Sequence, residues 1–270
     1  MTVNAYAKVN FTLEVFDRRP DGYHALRSLV LPISLADEIE VEKAAGYSSD
    51  SGYDDDLMLK AARVLGAGGV RIHVKKRIPA GGGLGGGSAD AAAVLRALNG
   101  LYGLGLSRAE LAEVGAQVGS DVPALVMGGP VVMEGRGEVV SRVDLPRLDF
   151  VVAHPGVASS TAAVYARCRA RERRGPDLTR AAIAAVRVGG ADAIASAAVN
   201  DLQGAAIGLH PEIAEAMRAL TSVGAVGVTM SGSGSCIFGL ADGAERAREI
   251  SAGMNALGFA AWNVRTMSAE

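Results

Sequence analysis

From Gly81 to Ser88 the chain runs Gly-Gly-Gly-Leu-Gly-Gly-Gly-Ser, and no other stretch limits its possible folds so severely. So many residues without side chains in succession would weaken the interior of a helix or strand, so this is a loop using backbone conformations closed to other residues. Just before it Val70, Ile72 and Val74 alternate with Arg71, His73 and Lys75, which predicts a strand that ends by Pro79. Just after it Ala91, Val94, Leu95 and Leu98 recur at helical spacing and predict a helix over about 88–101, with Ser88 and Asp90 near its amino end. Between a strand and a helix start, Pro79-Ala80-Gly81-Gly82-Gly83-Leu84-Gly85-Gly86-Gly87-Ser88 lets unhindered amides converge where the helix dipole adds positive potential. That is a cradle for an anion, and phosphate is its natural guest. Glycine makes up 35 of 270 residues, against roughly 7% on average, and its clustering here marks a specified backbone rather than a linker.

The rest of the chain reads as a folded α+β protein. Val3, Ala5, Ala7, Val9, Phe11, Leu13 and Val15 alternate with mostly polar residues and predict one strand over 3–15, with Lys8 and Asn10 on its polar face. A turn at 18–22, strands near 26–33 and 38–43, a polar loop at 46–56 and a helix over 57–65 follow. Beyond the glycine loop the pattern predicts a helix at 107–118, short strands within 131–140 and a strand at 150–153. Helices at 161–171, 178–187, 191–198 and 211–220 come next, then a strand at 226–230, a serine-glycine loop, a strand at 236–240, a helix at 243–256 and a final strand. Two successive groups of strands and helices suggest two lobes, 1–150 and 151–270. The arginines between Arg167 and Arg174 read as a solvated helix face.

Composition narrows the function. Apolar residues are 49% and charged residues 21%, so the chain can build a full core and is not disordered. Lys and Arg number 27 against 29 Asp and Glu, a net charge of −2 that offers no general field for nucleic acid or an anionic membrane. Cys168 and Cys236 have no metal-ligand spacing and suit a reducing cytoplasm, and residues 1–10 lack the layout of a secretory signal. Residues 219–241 carry no charge, yet Ser231-Gly232-Ser233-Gly234-Ser235 at the centre favours a strand-loop-strand reading over a membrane span.

An anion must therefore be held locally, and the known phosphate loops can be tested in turn. A P-loop needs a lysine after its glycines, and none follows. Gly81, Gly83 and Gly86 satisfy the dinucleotide spacing, but residues 101–106 supply neither the ribose-binding acid nor its strand. A protein-kinase loop would need downstream catalytic motifs that are absent. Two residues elsewhere complement the loop: Lys8 beside Asn10, and Asp121 in the turn Gly119-Ser120-Asp121-Val122-Pro123. A carboxylate near a lysine stays ionised, orients an alcohol and accepts its proton.

Ala7-Lys8-Val9-Asn10, Pro79 to Ser88 and Ser231 to Ser235 resemble, in order, the three signature motifs of the GHMP kinases, which include galactokinase, homoserine kinase and mevalonate kinase. Arg19-Pro20-Asp21-Gly22-Tyr23-His24, Gly119 to Pro123 and His154-Pro155-Gly156 are similar to motifs of the branch of that family whose acceptor is a cytidine diphosphate-linked methylerythritol, in the non-mevalonate isoprenoid pathway. The resemblance spans essentially the whole chain. It implies a two-lobed fold, with a ribosomal protein S5 domain 2-like N-terminal lobe and a ferredoxin-like-derived C-terminal lobe. It also implies ATP on the glycine loop, with Mg²⁺, and transfer of the γ-phosphoryl group to the 2-hydroxyl of the acceptor. On that resemblance Asp121 is the base and Lys8 its partner, with Leu57 beside the nucleotide. Asn10, Tyr23, His24, Thr161, Tyr165, Gly232 and Ser233 contact the acceptor, Tyr23 and His24 at its cytosine. A cytoplasmic monomer or weak homodimer is implied, without nucleic acid or membrane. Asp56-Leu57 stands where the family often has Asn-Leu, and Ala89 where it has a second serine; no metal ligand is assigned. Another GHMP kinase, of homoserine or mevalonate type, is the alternative.

Overall fold

The computed structural model describes residues 1–66, 68–170 and 175–268. Arg171, Arg173 and Arg174 of the arginine-rich stretch lie outside them, and the helix expected over 161–171 ends at Arg167. In chain order the elements are β1 (Thr2–Asn10), β2 (Thr12–Arg18), β3 (His24–Lys43), β4 (Tyr47–Ser49), α1 (Leu57–Leu65), β5 (Val70–Lys75), α2 (Gly86–Tyr102), α3 (Arg108–Gly115), α4 (Val122–Met127), β6 (Val131–Gly135) and β7 (Val139–Arg142). They continue as β8 (Asp149–His154), α5 (Thr161–Arg167), α6 (Leu178–Val188), α7 (Ala191–Ala197), β9 (Val199–Asn200), α8 (Gln203–Leu209), α9 (Glu212–Ser222), β10 (Val226–Met230), β11 (Ile237–Ala241), α10 (Gly243–Ala256) and β12 (Ala260–Arg265).

The spine of the first sheet is β3, which pairs antiparallel with β1, β2, β5 and β6 along its length. The two strands expected over 26–33 and 38–43 are this one strand. A register shift between Tyr6 and Lys8 lets β1 follow it through the polar middle. Conversely, the single strand expected over 3–15 is broken at Phe11, whose side chain is fully buried. Its ring lies 6.3 Å from that of Phe150 and 6.4 Å from that of Phe238, so the break plants an aromatic side chain between the two sheets.

The second sheet runs β10-β11-β8-β12, all antiparallel. Strand alternation divides β8 between two cores: Phe150 and Val152 join the larger one, Val151 and Ala153 the other. The sheets are tied again by β9, which adds to β2 in parallel and, with α8, had no periodic signal in sequence.

Helix α2 packs its Ala89, Ala91, Ala92, Ala93 and Ala97 into the larger core, and small side chains let it lie close to β1. Leu95 and Leu98 are fully buried and contribute about 1.5–3 kcal/mol each. That packing fixes where the helix begins, and with it the position of the glycine loop. The uncharged run 219–241 resolves into the end of α9, β10, a loop and β11; among the described residues no helix is long and apolar enough to cross a membrane.

Candidate active site

Gly85 caps α2 in the left-handed conformation (φ +70°), and the helix starts at Gly86, two residues before the expected Ser88. The first-turn amides of Gly86, Gly87 and Ser88 have no partner inside the helix, so they point at whatever lies before it. Gly83 also has positive φ (+72°), and a Cβ there would sit 2.2 Å from the Ser231 carbonyl oxygen. This close approach lets the 231–235 loop lie against the cradle. The Cys236 amide donates to the Gly82 carbonyl at 3.0 Å and the Ser231 hydroxyl to the Gly83 carbonyl at 3.0 Å. Asn200 braces that loop from behind, its amide donating to the carbonyls of Met230 (2.7 Å) and Gly232 (2.8 Å).

On β1, Lys8 and Asn10 share a face, two residues apart. Lys8 is 3% exposed, and burial of its ammonium is offset by donation to Asn10 Oδ1 (2.6 Å) and the Gly83 carbonyl (2.8 Å) and by pairing with Asp121 Oδ2 at 3.4 Å. The Asn10 side-chain amide donates onward to Ser28 Oγ at 2.8 Å. Asn10 thus borders the cavity with its amide committed to orienting Lys8. Asp121 is the N-cap residue of α4, a helix missed in sequence because it is six residues long and opens on Val122-Pro123. Its side chain makes no capping bond and is 31% exposed, so the carboxylate is held by Lys8 and open to the cavity.

That cavity, about 800 Å³, is bordered by Lys8, Asn10 and Asp121, by Gly81, Gly83 and Gly85 to Ser88 of the cradle, and by Gly232 and Ser233. Tyr23, His24, Thr161 and Tyr165 border it as well. His24 Nδ1 donates to the Phe16 carbonyl at 2.8 Å, and the neutral tautomer that makes this bond has Nε2 as its acceptor. Its ring lies 5.7 Å from that of Tyr165, whose phenol is pushed well up by burial, with the charge of Asp121 adding, and so stays protonated. Thr161 Oγ1 and Ser233 Oγ are 2.8 Å apart, joining α5 to the 231–235 loop. His154, which motif reading tied to the acceptor branch, is turned inward to accept from the Gly156 amide at 3.0 Å.

A second cavity of about 270 Å³ lies on the other side of the cradle, bordered by Pro79 to Gly87 and by Leu57, which faces both cavities. Asp56 also borders it, and its carboxylate caps α1, accepting from the amides of Met58 (2.7 Å) and Leu59 (3.3 Å). Lys76 and Asp90 line it as well, and no motif marked them. The Lys76 ammonium bridges Asp37 and Asp90, the latter at 2.7 Å, while Asp90 Oδ1 is buried without a hydrogen-bond partner. Burial, against the pull of Lys76, raises the Asp90 carboxyl to about 7, and the nearby Asp37 charge adds to the rise. Arg18 and Arg136, which border the larger cavity, likewise belong to no motif singled out in sequence.

Every residue singled out in sequence for the nucleotide or the acceptor borders one of these two cavities. The chain matches the family described as GHMP kinases N terminal domain over residues 56–129 and that described as GHMP kinases C terminal over 182–259. It is 40% identical to the 4-diphosphocytidyl-2-C-methyl-D-erythritol kinase of Pelotomaculum thermopropionicum, with 93% of each chain covered. It is 37% identical to that of Symbiobacterium thermophilum, with 99% and 100% covered. Among solved structures, a 4-(cytidine 5'-diphospho)-2C-methyl-D-erythritol kinase superposes with a TM-score of 0.86 at 39% identity, covering 100% of both chains. A homoserine kinase from Cytophaga hutchinsonii, at 20% identity and a TM-score of 0.74 over 100% and 95% of the two chains, shares the fold. The chain therefore belongs to the GHMP kinases and, within them, to the family of the 4-diphosphocytidyl-2-C-methyl-D-erythritol kinases.

Proposed function

We propose that this chain transfers the γ-phosphoryl group of ATP to the 2-hydroxyl of 4-diphosphocytidyl-2-C-methyl-D-erythritol, giving the 2-phosphate and ADP. One observation carries the reading: the glycine cradle, the Lys8–Asp121 pair at 3.4 Å and the Tyr23–His24–Tyr165 wall all border one cavity. The phosphates take the amides at the start of α2, where fixed dipoles meet negative charge without reorganising. The acceptor hydroxyl lies against Asp121. Its oxygen bonds to the γ-phosphorus, the bond from that phosphorus to the ADP oxygen breaks, and the proton passes to Asp121. Lys8, 3.4 Å from Asp121, orients that carboxylate and offsets negative charge as it builds. Phosphoryl transfer depends on such alignment and neutralisation more than on a strong base.

At the other end, His24 Nε2 accepts from the exocyclic amine of cytosine, and Tyr23 and Tyr165 offer aromatic faces to the ring. Adenine belongs to the smaller cavity beside Leu57. Mg²⁺ fits as an ion borne by the nucleotide. The donors facing the larger cavity beside the cradle are hard oxygens, the Ser88 hydroxyl and the Asp121 carboxylate, and the described residues hold no cluster of three or more potential ligands that would cage an ion. Ser88 would help hold it, and it would supply neutralisation of phosphate charge. On the same footing we place the chain in the cytoplasm as a monomer or weak homodimer, divided at about residue 150 into its two lobes.

A homoserine- or mevalonate-type acceptor would leave Tyr23 and His24 without a role. Incubating the protein with ATP, Mg²⁺ and a panel of alcohols that includes the cytidine diphosphate-linked methylerythritol, followed by phosphorus NMR, tests the reading. A new phosphomonoester signal on that acceptor alone is expected, and equal turnover of homoserine or mevalonate contradicts it.

A further inference from the structure

Two guanidinium groups that no motif marks, those of Arg18 and Arg136, border the larger cavity. Neither forms an ion pair among the described residues, whereas Arg19 pairs with Asp21 and Glu138, and Arg27 with Glu14 and Asp177. Arg18 ends β2 directly opposite His24 in the antiparallel pairing, so the two side chains share a face. Arg136 is half-buried at the tip of the β6–β7 hairpin, its Cζ 5.4 Å from the centroid of the Tyr23 ring.

The hairpin tip is held from two sides. Glu138 accepts from the Arg136 amide at 2.5 Å and pairs with Arg19 at 2.9 Å, which ties the tip to the segment bearing Tyr23. Gly137 lies so close to Ser120 that a Cβ there would be 2.3 Å from its carbonyl oxygen, which ties the tip to the loop bearing Asp121. Arg136 is thus positioned between the two ends of the acceptor cavity.

Among the charges on that cavity wall, Lys8 and Asp121 offset each other at 3.4 Å. What remains is two positive charges, from Arg18 and Arg136, flanking Tyr23 and His24. We propose that Arg18 and Arg136 bind the diphosphate of the acceptor and so make the site selective for a nucleoside diphosphate ester over a bare nucleoside. This rests on the cytidine diphosphate-linked acceptor proposed above. A diphosphate esterified at both ends carries two negative charges, equal and opposite to the unbalanced pair. Guanidinium is permanently charged and its planar fork matches phosphate oxygens. Stacking on Tyr23 restricts the rotamers of Arg136 in advance, so less freedom is lost when the phosphate arrives. The triphosphate of ATP is served by backbone amides, the acceptor by side-chain cations, so the two anion sites differ in chemistry and in response to substitution.

Isothermal titration of the full-length protein with cytidine, CDP-glycerol and a nonhydrolysable ATP analogue tests this in the wild type, Arg18→Ala, Arg136→Ala and the double variant. The wild type should prefer CDP-glycerol to cytidine by roughly 100-fold, each single substitution should cut that preference about tenfold, and the double variant should abolish it. Affinities for cytidine and for the ATP analogue should stay unchanged. If the double variant keeps the wild-type preference, or loses cytidine and CDP-glycerol in equal measure, the assignment of the two arginines is overturned while the cytidine diphosphate reading stands. If the wild type binds neither cytidine compound, both are overturned.

Discussion

Replacing Asp121 by asparagine separates catalysis from folding, and the structure sets the size of both effects. Asp121 is 31% exposed and makes no capping bond to α4, and its pairing with Lys8 is at 3.4 Å. Lys8 keeps two acceptors without it, Asn10 Oδ1 at 2.6 Å and the Gly83 carbonyl at 2.8 Å. Discounted for solvent screening, the pair contributes about 0.2–1 kcal/mol to stability. Against a total of roughly 5–15 kcal/mol the folded fraction does not change, and Tm falls by about 2–4 °C at most. A positioned base, in contrast, accelerates transfer by roughly 10²–10⁴-fold, which is about 3–5 kcal/mol on the barrier. Coupled ADP-release kinetics should therefore show kcat down by that factor with KM for ATP unchanged, alongside a near-wild-type melting curve. Lys8→Met is the contrasting variant: it leaves buried Asn10 Oδ1 without its donor, while the Gly83 carbonyl retains Ser231, so stability drops by about 1–3 kcal/mol as activity is lost. Turnover of Asp121→Asn within tenfold of wild type, in a folded protein, refutes the reasoning.

Three further outcomes follow from the same geometry. Gly83→Ala puts a Cβ 2.2 Å from the Ser231 carbonyl at φ +72°; it should displace the 231–235 loop, cut nucleotide affinity and lower Tm, and unchanged ATP binding in a titration would show the loop contact to be dispensable. His24→Ala should raise KM for the cytidine-linked acceptor at least tenfold with KM for ATP unchanged, since a hydrogen-bonding ring is lost from the acceptor wall alone; equal rises in both would refute the cytosine assignment. Asp90 has its folded-state carboxyl raised to about 7 from 3.8, mainly by burial. Between those values the folded protein holds a proton that the unfolded chain has released, so this group makes stability fall as pH rises through that window. Urea midpoints of wild type minus Asp90→Asn should therefore decline from acid to neutral pH, and a flat difference would mean that Lys76 cancels the effect of burial.

Elements whose signals are local were legible in the sequence. Helix α1 spans the expected 57–65, where the structure adds an Asp56 N-cap and a left-handed Gly66, and α10 matches its expected span. What was not legible depends on partners distant in sequence. The break at Phe11 is invisible because alternation runs through it, and its cause is the Phe150 and Phe238 rings more than a hundred residues away. The middle of β3 reads as a gap because Asp37 is charged, yet that carboxylate is fully buried to receive Lys76 and the amides of Arg77 and Ile78. In the site, the residues carried by the glycine loop and the Tyr23-His24 motif were found in sequence, whereas Arg18, Arg136, Lys76, Asp90 and Asn200 acquire meaning from the cavity or loop they meet in three dimensions.

The account turns on where the terminal phosphate lies relative to the acceptor hydroxyl. A crystal structure of the protein with a nonhydrolysable ATP analogue and the cytidine diphosphate-linked alcohol measures this directly. The expected result is a triphosphate against the amides of residues 81–88, with its γ-phosphorus facing a hydroxyl in hydrogen-bond contact with Asp121. A triphosphate bound away from the glycine loop, or a hydroxyl out of reach of both Asp121 and the γ-phosphorus, would contradict it.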